Sequence, residues 1–357
     1  MNCGVTGLMW FKWSINAIDV EIRAGEGLSP GRSSLKNWLN GQRTQEVSPV
    51  FCCQKSRQGG KFLNSLGIYE KALPKTDSWL TRLQLVRDLG FNFLELSIDE
   101  SDERLARLDW TKDERAAVRD ACWQTGVRIH TLMLSGHRRY PLGSSDPAVQ
   151  QKSCDMLGKA IDLASDLGIR NVQLAGYDVY YEPKTIMSRE CFIENLQRGV
   201  AYAATREVTL AIETMDDPFL NSLTKIRALK EQIHSPWLQA YPDVGNLSAW
   251  PENDVGRELE LGIANIASVH LKDTQAVTAN HPGQFRDVPF GDGVVDFAGC
   301  LHTLKRLHYG GAFTIEMWTE KAADPIKEVK QAKAFFDKLF NQVGLTQEPV
   351  SEANVRS

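Results

Sequence analysis

From Leu66 onward one unit recurs: a helix with an apolar face, a Leu-Gly or similar pair, then a short apolar strand. The pair stands at Leu89-Gly90, Thr125-Gly126, Leu167-Gly168, Leu261-Gly262 and Tyr309-Gly310. A glycine there is expected to adopt positive φ, which ends a helix and turns the chain. The strands read as Leu66 to Tyr69, Phe93 to Leu96, Val127 to Leu134, Asn171 to Leu174, Thr209 to Ile212, Leu238 to Tyr241, Ile266 to Val269 and Ala312 to Ile315. Helix signals fall between them. Asp77 or Ser78 can cap a helix over Trp79 to Leu89, and Thr111 to Glu114 is a capping box for one ending at Gly126. Further helices are expected from about Ala148 to Gly168, around Cys191 to Thr205, from near Asp296, and from Ile326 to Phe340. About eight such units, over residues 66–345, match a single closed (β/α)8 barrel. An open doubly wound sheet is the alternative. Its dinucleotide-binding form loses support because no G-x-G-x-x-G follows the first strand, so no nucleotide cofactor is expected.

Residues 1–65 break this pattern. They mix Ser, Gly, Arg and Gln with isolated tryptophans and read as an irregular, disordered extension. Residues 346–357 read as a tail. A signal peptide fits the start poorly, because Lys12 interrupts the apolar stretch and no basic region precedes it. The net charge of −4, without a basic block, argues against nucleic acid or a membrane surface as partner. No apolar run approaches the ~20 residues a membrane helix needs. Seven scattered cysteines suggest reduced thiols and a cytoplasmic protein.

Four consecutive strands run into side chains that can ligate a metal. Thr209 to Ile212 ends on Glu213, Leu238 to Tyr241 runs into Asp243, Ile266 to Val269 into His270, and Ala312 to Ile315 into Glu316. Taken singly, each is more often a cap, a surface charge or a core histidine. In a parallel barrel, however, all four strand ends face one side, where active sites are built. Three carboxylates crowded together need raised pKa values or a cation. Three carboxylates and one imidazole suit one Mn²⁺, Zn²⁺ or Co²⁺ ion and are poor for Ca²⁺.

The stretches GIYEKALP, ELSIDESDERLARLDW, LSGHRRYPLGS, QLAGYDVYY, YPDVGNLSAW, VHLKDT, VPFGDGVVDF and TIEMW resemble the L-xylulose-5-phosphate / L-ribulose-5-phosphate 3-epimerases of bacterial L-ascorbate use. These belong to the xylose isomerase-like barrels and are similar to the D-tagatose and D-psicose 3-epimerases. The resemblance covers Leu66 to about Gly344. It implies a metal held by Glu213, Asp243, His270 and Glu316, in agreement with the strand-end reading. Asn246 is a departure: the free-ketose epimerases tend to carry a His after their ligand Asp, so their substrate contacts are not carried over.

The implied reaction is 3-epimerisation of a ketopentose 5-phosphate. The C3 hydrogen of a 2-ketose is α to the carbonyl, and a metal on the C2 oxygen and C3 hydroxyl would stabilise the enediolate as a Lewis acid. Inversion needs a base on one face and an acid on the other, roles that fall to Glu213 and Glu316, with Asp243 and His270 as ligands only. Lys71, His137, Arg138, Arg139 and Lys272 are candidates for the phosphate, as are the amides of Gly291 and Gly293 in the Phe290-Gly291-Asp292-Gly293 turn. Glu95 and Asn246 are candidates for substrate contacts, and Tyr69, Trp250 and Trp318 for apolar walls. The expected partner is a small phosphorylated ketose; whether the chain forms a homodimer is left open. Three rival readings stand beside this one: a 1,2-aldose–ketose isomerase, an apurinic endonuclease-like metal hydrolase, and a non-catalytic sugar-phosphate sensor.

Overall fold

The computed structural model describes residues 57–58, 61–76 and 78–350. Most of the expected extension, the last seven residues and Asp77 lie outside the described residues. Eight parallel strands make the barrel: β1 Leu66–Tyr69, β2 Phe93–Ile98, β3 Arg128–Leu134, β4 Asn171–Ala175, β5 Thr209–Glu213, β6 Leu238–Tyr241, β7 Ser268–Leu271 and β8 Ala312–Ile315. Each pairs with the next from β1 to β6, and β8 lies between β7 and β1. Single bridges, Ala240 to Ile266 and Asp243 to His270, join β6 to β7 and close the ring.

Eight helices alternate with these strands: α1 Trp79–Asp88, α2 Lys112–Thr125, α3 Pro147–Leu167, α4 Ile186–Thr205, α5 Leu223–Ile233, α6 Val255–Gly262, α7 Phe297–Arg306 and α8 Pro325–Val343. Ser78 caps α1 by accepting from the Thr81 amide, and the capping box of Thr111 and Glu114 is formed. Gly126 and Gly168 end α2 and α3 at φ of 72° and 74°. The expected positive φ fails at Gly262, whose φ is −94°. Glycine is needed there for space, since a Cβ would meet Leu223 Cδ1 at 2.7 Å. After α7 it is His308, two residues before Gly310, that turns the chain, at φ 57°. β7 also starts two residues later than expected, so His270 lies inside the strand.

The strand alternation decides where the core lies. Leu94, Leu96, Leu132, Val172, Leu210, Ile212, Val269 and Phe313 belong to one apolar cluster shared with the helices. The intervening positions carry Glu95, Ser97, Thr131, Gln173, Glu213, His270 and Thr314, all buried. Because successive side chains point to opposite faces of a strand, most apolar packing falls between strands and helices, and many positions facing the barrel interior are polar. Inside, Gly67 makes room for the Phe93 ring, which a Cβ would meet at 2.1 Å.

Short strands outside the barrel brace its amino-terminal side. Lys61–Asn64 pairs with Arg57–Gln58 and with Thr346–Gln347, and Asn64 Nδ2 donates to the carbonyl of Gly311 at 2.9 Å. The four cysteines in described residues are free thiols, and no described helix is long and apolar enough to cross a membrane.

Directly after β1, buried Glu70 meets Arg82, Arg104 and Arg107 at 2.7–2.9 Å and accepts the Ser97 amide at 3.0 Å. Burial alone would raise its carboxyl, but Arg107, with Arg104 and Arg82, outweighs that and holds it below the usual range. Glu70→Gln removes the carboxylate that three guanidinium groups share and is expected to cost about 3–5 kcal/mol, read as a lower midpoint in denaturant. A depressed carboxyl stabilises the fold above its unfolded pKa of ~4.3. The gap between wild type and variant should therefore persist at neutral pH and close only in acid.

Candidate metal centre

Four side chains converge at the carboxyl ends of β5 to β8. Glu213 is the last residue of β5. Asp243 follows β6 and caps a short helix, Val244–Ala249, its Oδ1 accepting from the Asn246 amide at 2.8 Å. His270 points inward from β7. Glu316 follows β8, its amide tied to the Leu271 carbonyl at 3.0 Å. One potential ligand atom from each lies within 4.8 Å of the others, and all four residues are buried.

His270 Nδ1 is 2.8 Å from Glu213 Oε1 and 3.9 Å from both Asp243 Oδ2 and Glu316 Oε2. Lys272 Nζ, one strand-end step on, sits 2.9 Å from both of those oxygens. Glu213 Oε2 accepts from Gln173 Nε2 on β4. Asp243 is held by its own amide, which donates to Thr214 Oγ1 at 2.9 Å, and Asn246 Nδ2 donates to the Thr214 carbonyl at 2.7 Å.

The electrostatics are those of too many acids in too little water. Burial pushes the Asp243 carboxyl up to about 7 and raises Glu213 as well. Burial acts on Glu316 in the same sense, yet Lys272 and His270 outweigh it and hold Glu316 down at about 2. Burial lowers the tendency of His270 to protonate, but Glu95 and Glu213 reverse that and raise its pKa well above the ordinary value. The buried Asp243 Oδ2 and Glu316 Oε2 have the Lys272 ammonium beside them but no well-aligned hydrogen bond. A divalent cation fits this set: it would satisfy both oxygens and offset the carboxylate charge, with three oxygen donors and one nitrogen.

The remaining expected residues separate sharply. Lys272 stands in the cluster itself, and Asn246 supports Asp243 from behind. Glu95 lies inside the barrel, bonded to His270 Nε2 at 2.7 Å and to the Tyr241 hydroxyl at 2.8 Å. Lys71 pairs with Asp99, its side chain 16% exposed. Arg138 lies over the Tyr177 and Tyr180 rings. Three of the phosphate candidates meet partners within the protein. The amides of Gly291 and Gly293 donate to Asp273 Oδ2 at 2.8 and 3.1 Å, so an internal carboxylate holds the turn where an anion was expected. His137 is buried with its ring on the Ser153 carbonyl, and burial drops its pKa to about 4, leaving no cation at neutral pH. Arg139 turns to Asp102 at 2.6 Å on the surface.

Tyr69 and Trp318 meet edge to face at 6.0 Å, and Arg286 lies 4.4 Å over the Trp318 ring. Trp318 lines a cavity of about 750 Å³, together with Lys272 and Glu316. Asp287, Glu320 and Glu328 also line it, against Lys321, which makes it a poor seat for a phosphate. Trp250 donates its indole N–H to the Met215 carbonyl at 3.3 Å. Sequence reasoning missed Gln173 and Tyr241. The available signal was a polar residue at an inward position of an otherwise apolar strand.

Comparison with known proteins agrees with this geometry. The family model for the xylose isomerase-like TIM barrel matches residues 83–339. SgbU of Escherichia coli (strain K12) is 53% identical over 281 residues, spanning 79% of this chain and 98% of that protein. UlaE of Escherichia coli O157:H7, an L-ribulose-5-phosphate 3-epimerase, is 49% identical over 282 residues, spanning 79% and 97%. Among solved structures, an L-ribulose 3-epimerase superposes with a TM-score of 0.63 at 20% identity, covering 79% of this chain and 96% of that one. The 3-keto-D-glucoside 4-epimerase YcjR of E. coli gives 0.63 at 17% identity, covering 77% and 99%. At such identities the two structures speak for the fold alone.

Proposed function

The chain belongs to the L-ribulose-5-phosphate 3-epimerase family of xylose isomerase-like TIM barrels, and we propose that it interconverts L-xylulose 5-phosphate and L-ribulose 5-phosphate by inverting C3, as a step of L-ascorbate use. The observation that carries the reading is the convergence of Glu213 and Glu316 with Asp243 and His270 at one buried point. The cofactor in this reading is one Mn²⁺, Zn²⁺ or Co²⁺ ion. A divalent ion held by these four residues would supply Lewis acidity to the C2 carbonyl and C3 hydroxyl.

The protein's own part is proton transfer and positioning. Glu213 comes from β5 and Glu316 from beyond β8, so the two carboxylates can address a bound sugar from different sides. One takes the C3 proton from its face; the other returns a proton to the opposite face. Which of them starts depends on the epimer bound, because each is the acid of one direction and the base of the other. Asp243 and His270 hold the reacting centre and take no proton in this scheme. Lys272, within reach of both Asp243 and Glu316, limits the charge that builds up when the base is ionised. For the phosphate end the reading keeps Lys71, after β1, and Arg138 and Arg139, after β3. An apurinic endonuclease would need a multi-metal cluster. Among the described residues a single four-residue group with one histidine offers a metal site.

Incubating the metal-loaded protein with L-xylulose 5-phosphate in D₂O tests the reading. NMR should find deuterium at C3 of the L-ribulose 5-phosphate formed. Label at C1 would select a 1,2-isomerase, and binding with no exchange would select a sensor.

A further inference from the structure

Among the described residues, Glu95 is a carboxylate of the barrel interior that the scheme above leaves without a task. It sits on β2, fully buried, with neither oxygen open to a substrate. Its Oε1 is 2.7 Å from His270 Nε2, and its Oε2 accepts from the Tyr241 hydroxyl at 2.8 Å. Among the described residues, His270 is its ion-pair partner. The Tyr241 hydroxyl is also 3.1 Å from Thr314 Oγ1, and its ring meets the His270 ring edge to face at 4.6 Å. Tyr241 thus fixes both the carboxylate and the imidazole.

A neutral imidazole carries one N–H and one lone pair. A carboxylate oxygen accepts, so Glu95 Oε1 at 2.7 Å places a hydrogen on Nε2. Without a cation Nδ1 also shares a hydrogen, with Glu213 Oε1 at 2.8 Å; a cation that takes the place of that hydrogen meets the lone pair of Nδ1, the nitrogen that faces Glu213, Asp243 and Glu316. We propose that Glu95 is a positioning residue that fixes the Nε2–H tautomer and the rotation of His270, so that Nδ1 is the atom offered to the cation. This rests on the reading of His270 as a metal ligand. It gives Glu95 a role other than the expected contact with a sugar hydroxyl. A carboxylate behind a ligating imidazole also raises the donor strength of the ring.

Zn²⁺ affinity measured by competition with a chromophoric chelator, on the full-length chain and on Glu95→Gln, tests it together with long-range ¹H–¹⁵N NMR of the Zn²⁺-loaded protein. Glutamine keeps the volume and one acceptor but removes the charge. Zn²⁺ binding is expected to weaken ~10–100-fold, and the wild-type spectrum to report His270 with zinc on Nδ1 and hydrogen on Nε2. Tyr241→Phe, which keeps the ring and removes the donor to Glu95, should weaken Zn²⁺ by a smaller factor, under ~10-fold. This variant carries the test should Glu95→Gln fail to fold. Unchanged affinity in the variants, or zinc on Nε2, overturns the role of Glu95 and leaves the metal site standing. A wild-type protein that takes up no Zn²⁺, Mn²⁺ or Co²⁺ removes the metal reading itself, and this inference with it.

Discussion

Glu213→Gln and Glu316→Gln are each expected to slow interconversion of the two epimers by ~10²–10⁴-fold at saturating metal, the usual contribution of a general acid or base. The sharper expectation lies in the exchange that survives. Each carboxylate faces one side of C3, so removing one leaves the other able to take the proton of a single epimer. Glu213→Gln should exchange deuterium into one epimer without inverting it, and Glu316→Gln into the other. The two variants should mirror one another. A mechanism with one base predicts a different pattern: one variant loses exchange with both sugars and the other keeps both. The experiment incubates each pure epimer with each variant in D₂O and reads C3 label and configuration by NMR. Metal content must be measured alongside, since both residues are also proposed ligands and a metal-free variant would mimic the loss.

The parts of this site that could be read from the sequence are those that depend on local order alone. Glu213, Asp243 and Glu316 stand at or just past the ends of short apolar runs, and parallel strands bring such ends together without further information. The helix stops at Gly126 and Gly168 were legible for the same reason, because one residue's φ decides them. What stayed hidden depends on closure of the ring. Glu95 and His270 are 175 residues apart and meet only because β2 and β7 face each other across the interior. Tyr241 looked like the apolar end of a strand, yet its hydroxyl reaches Glu95 across the barrel. The FGDG turn suggested an anion site, and it is one, but the anion is the protein's own Asp273. Sequence cannot distinguish an internal carboxylate from an external phosphate, since the backbone amides arrange themselves alike for both. At the end of α7 the glycine looked decisive, and His308 took the left-handed position instead, as a non-β-branched residue can where packing requires it.

Metal should stabilise this fold to an extent that one carboxylate controls. A ligand that binds the native state alone adds about 2.7 kcal/mol at a free concentration 100 times its Kd. For a domain of this size each kcal/mol is worth roughly 2–4 °C, so Zn²⁺ or Mn²⁺ added to chelator-treated protein should raise Tm by ~5–10 °C. Asp243→Asn should lose most of that rise. The asparagine Oδ1 can still accept from the Asn246 amide, so the cap of the short helix survives. Lys272 keeps Glu316 as its partner at 2.9 Å. The variant also has one fewer buried acid competing for positive charge, so its metal-free Tm should move much less than the metal-dependent rise it forfeits. Scanning calorimetry of both proteins, with chelator and with metal, separates these effects. A full metal-dependent rise in Asp243→Asn would mean that the cation binds elsewhere, and the four strand-end residues would then be an acid cluster held together by Lys272 and His270 alone.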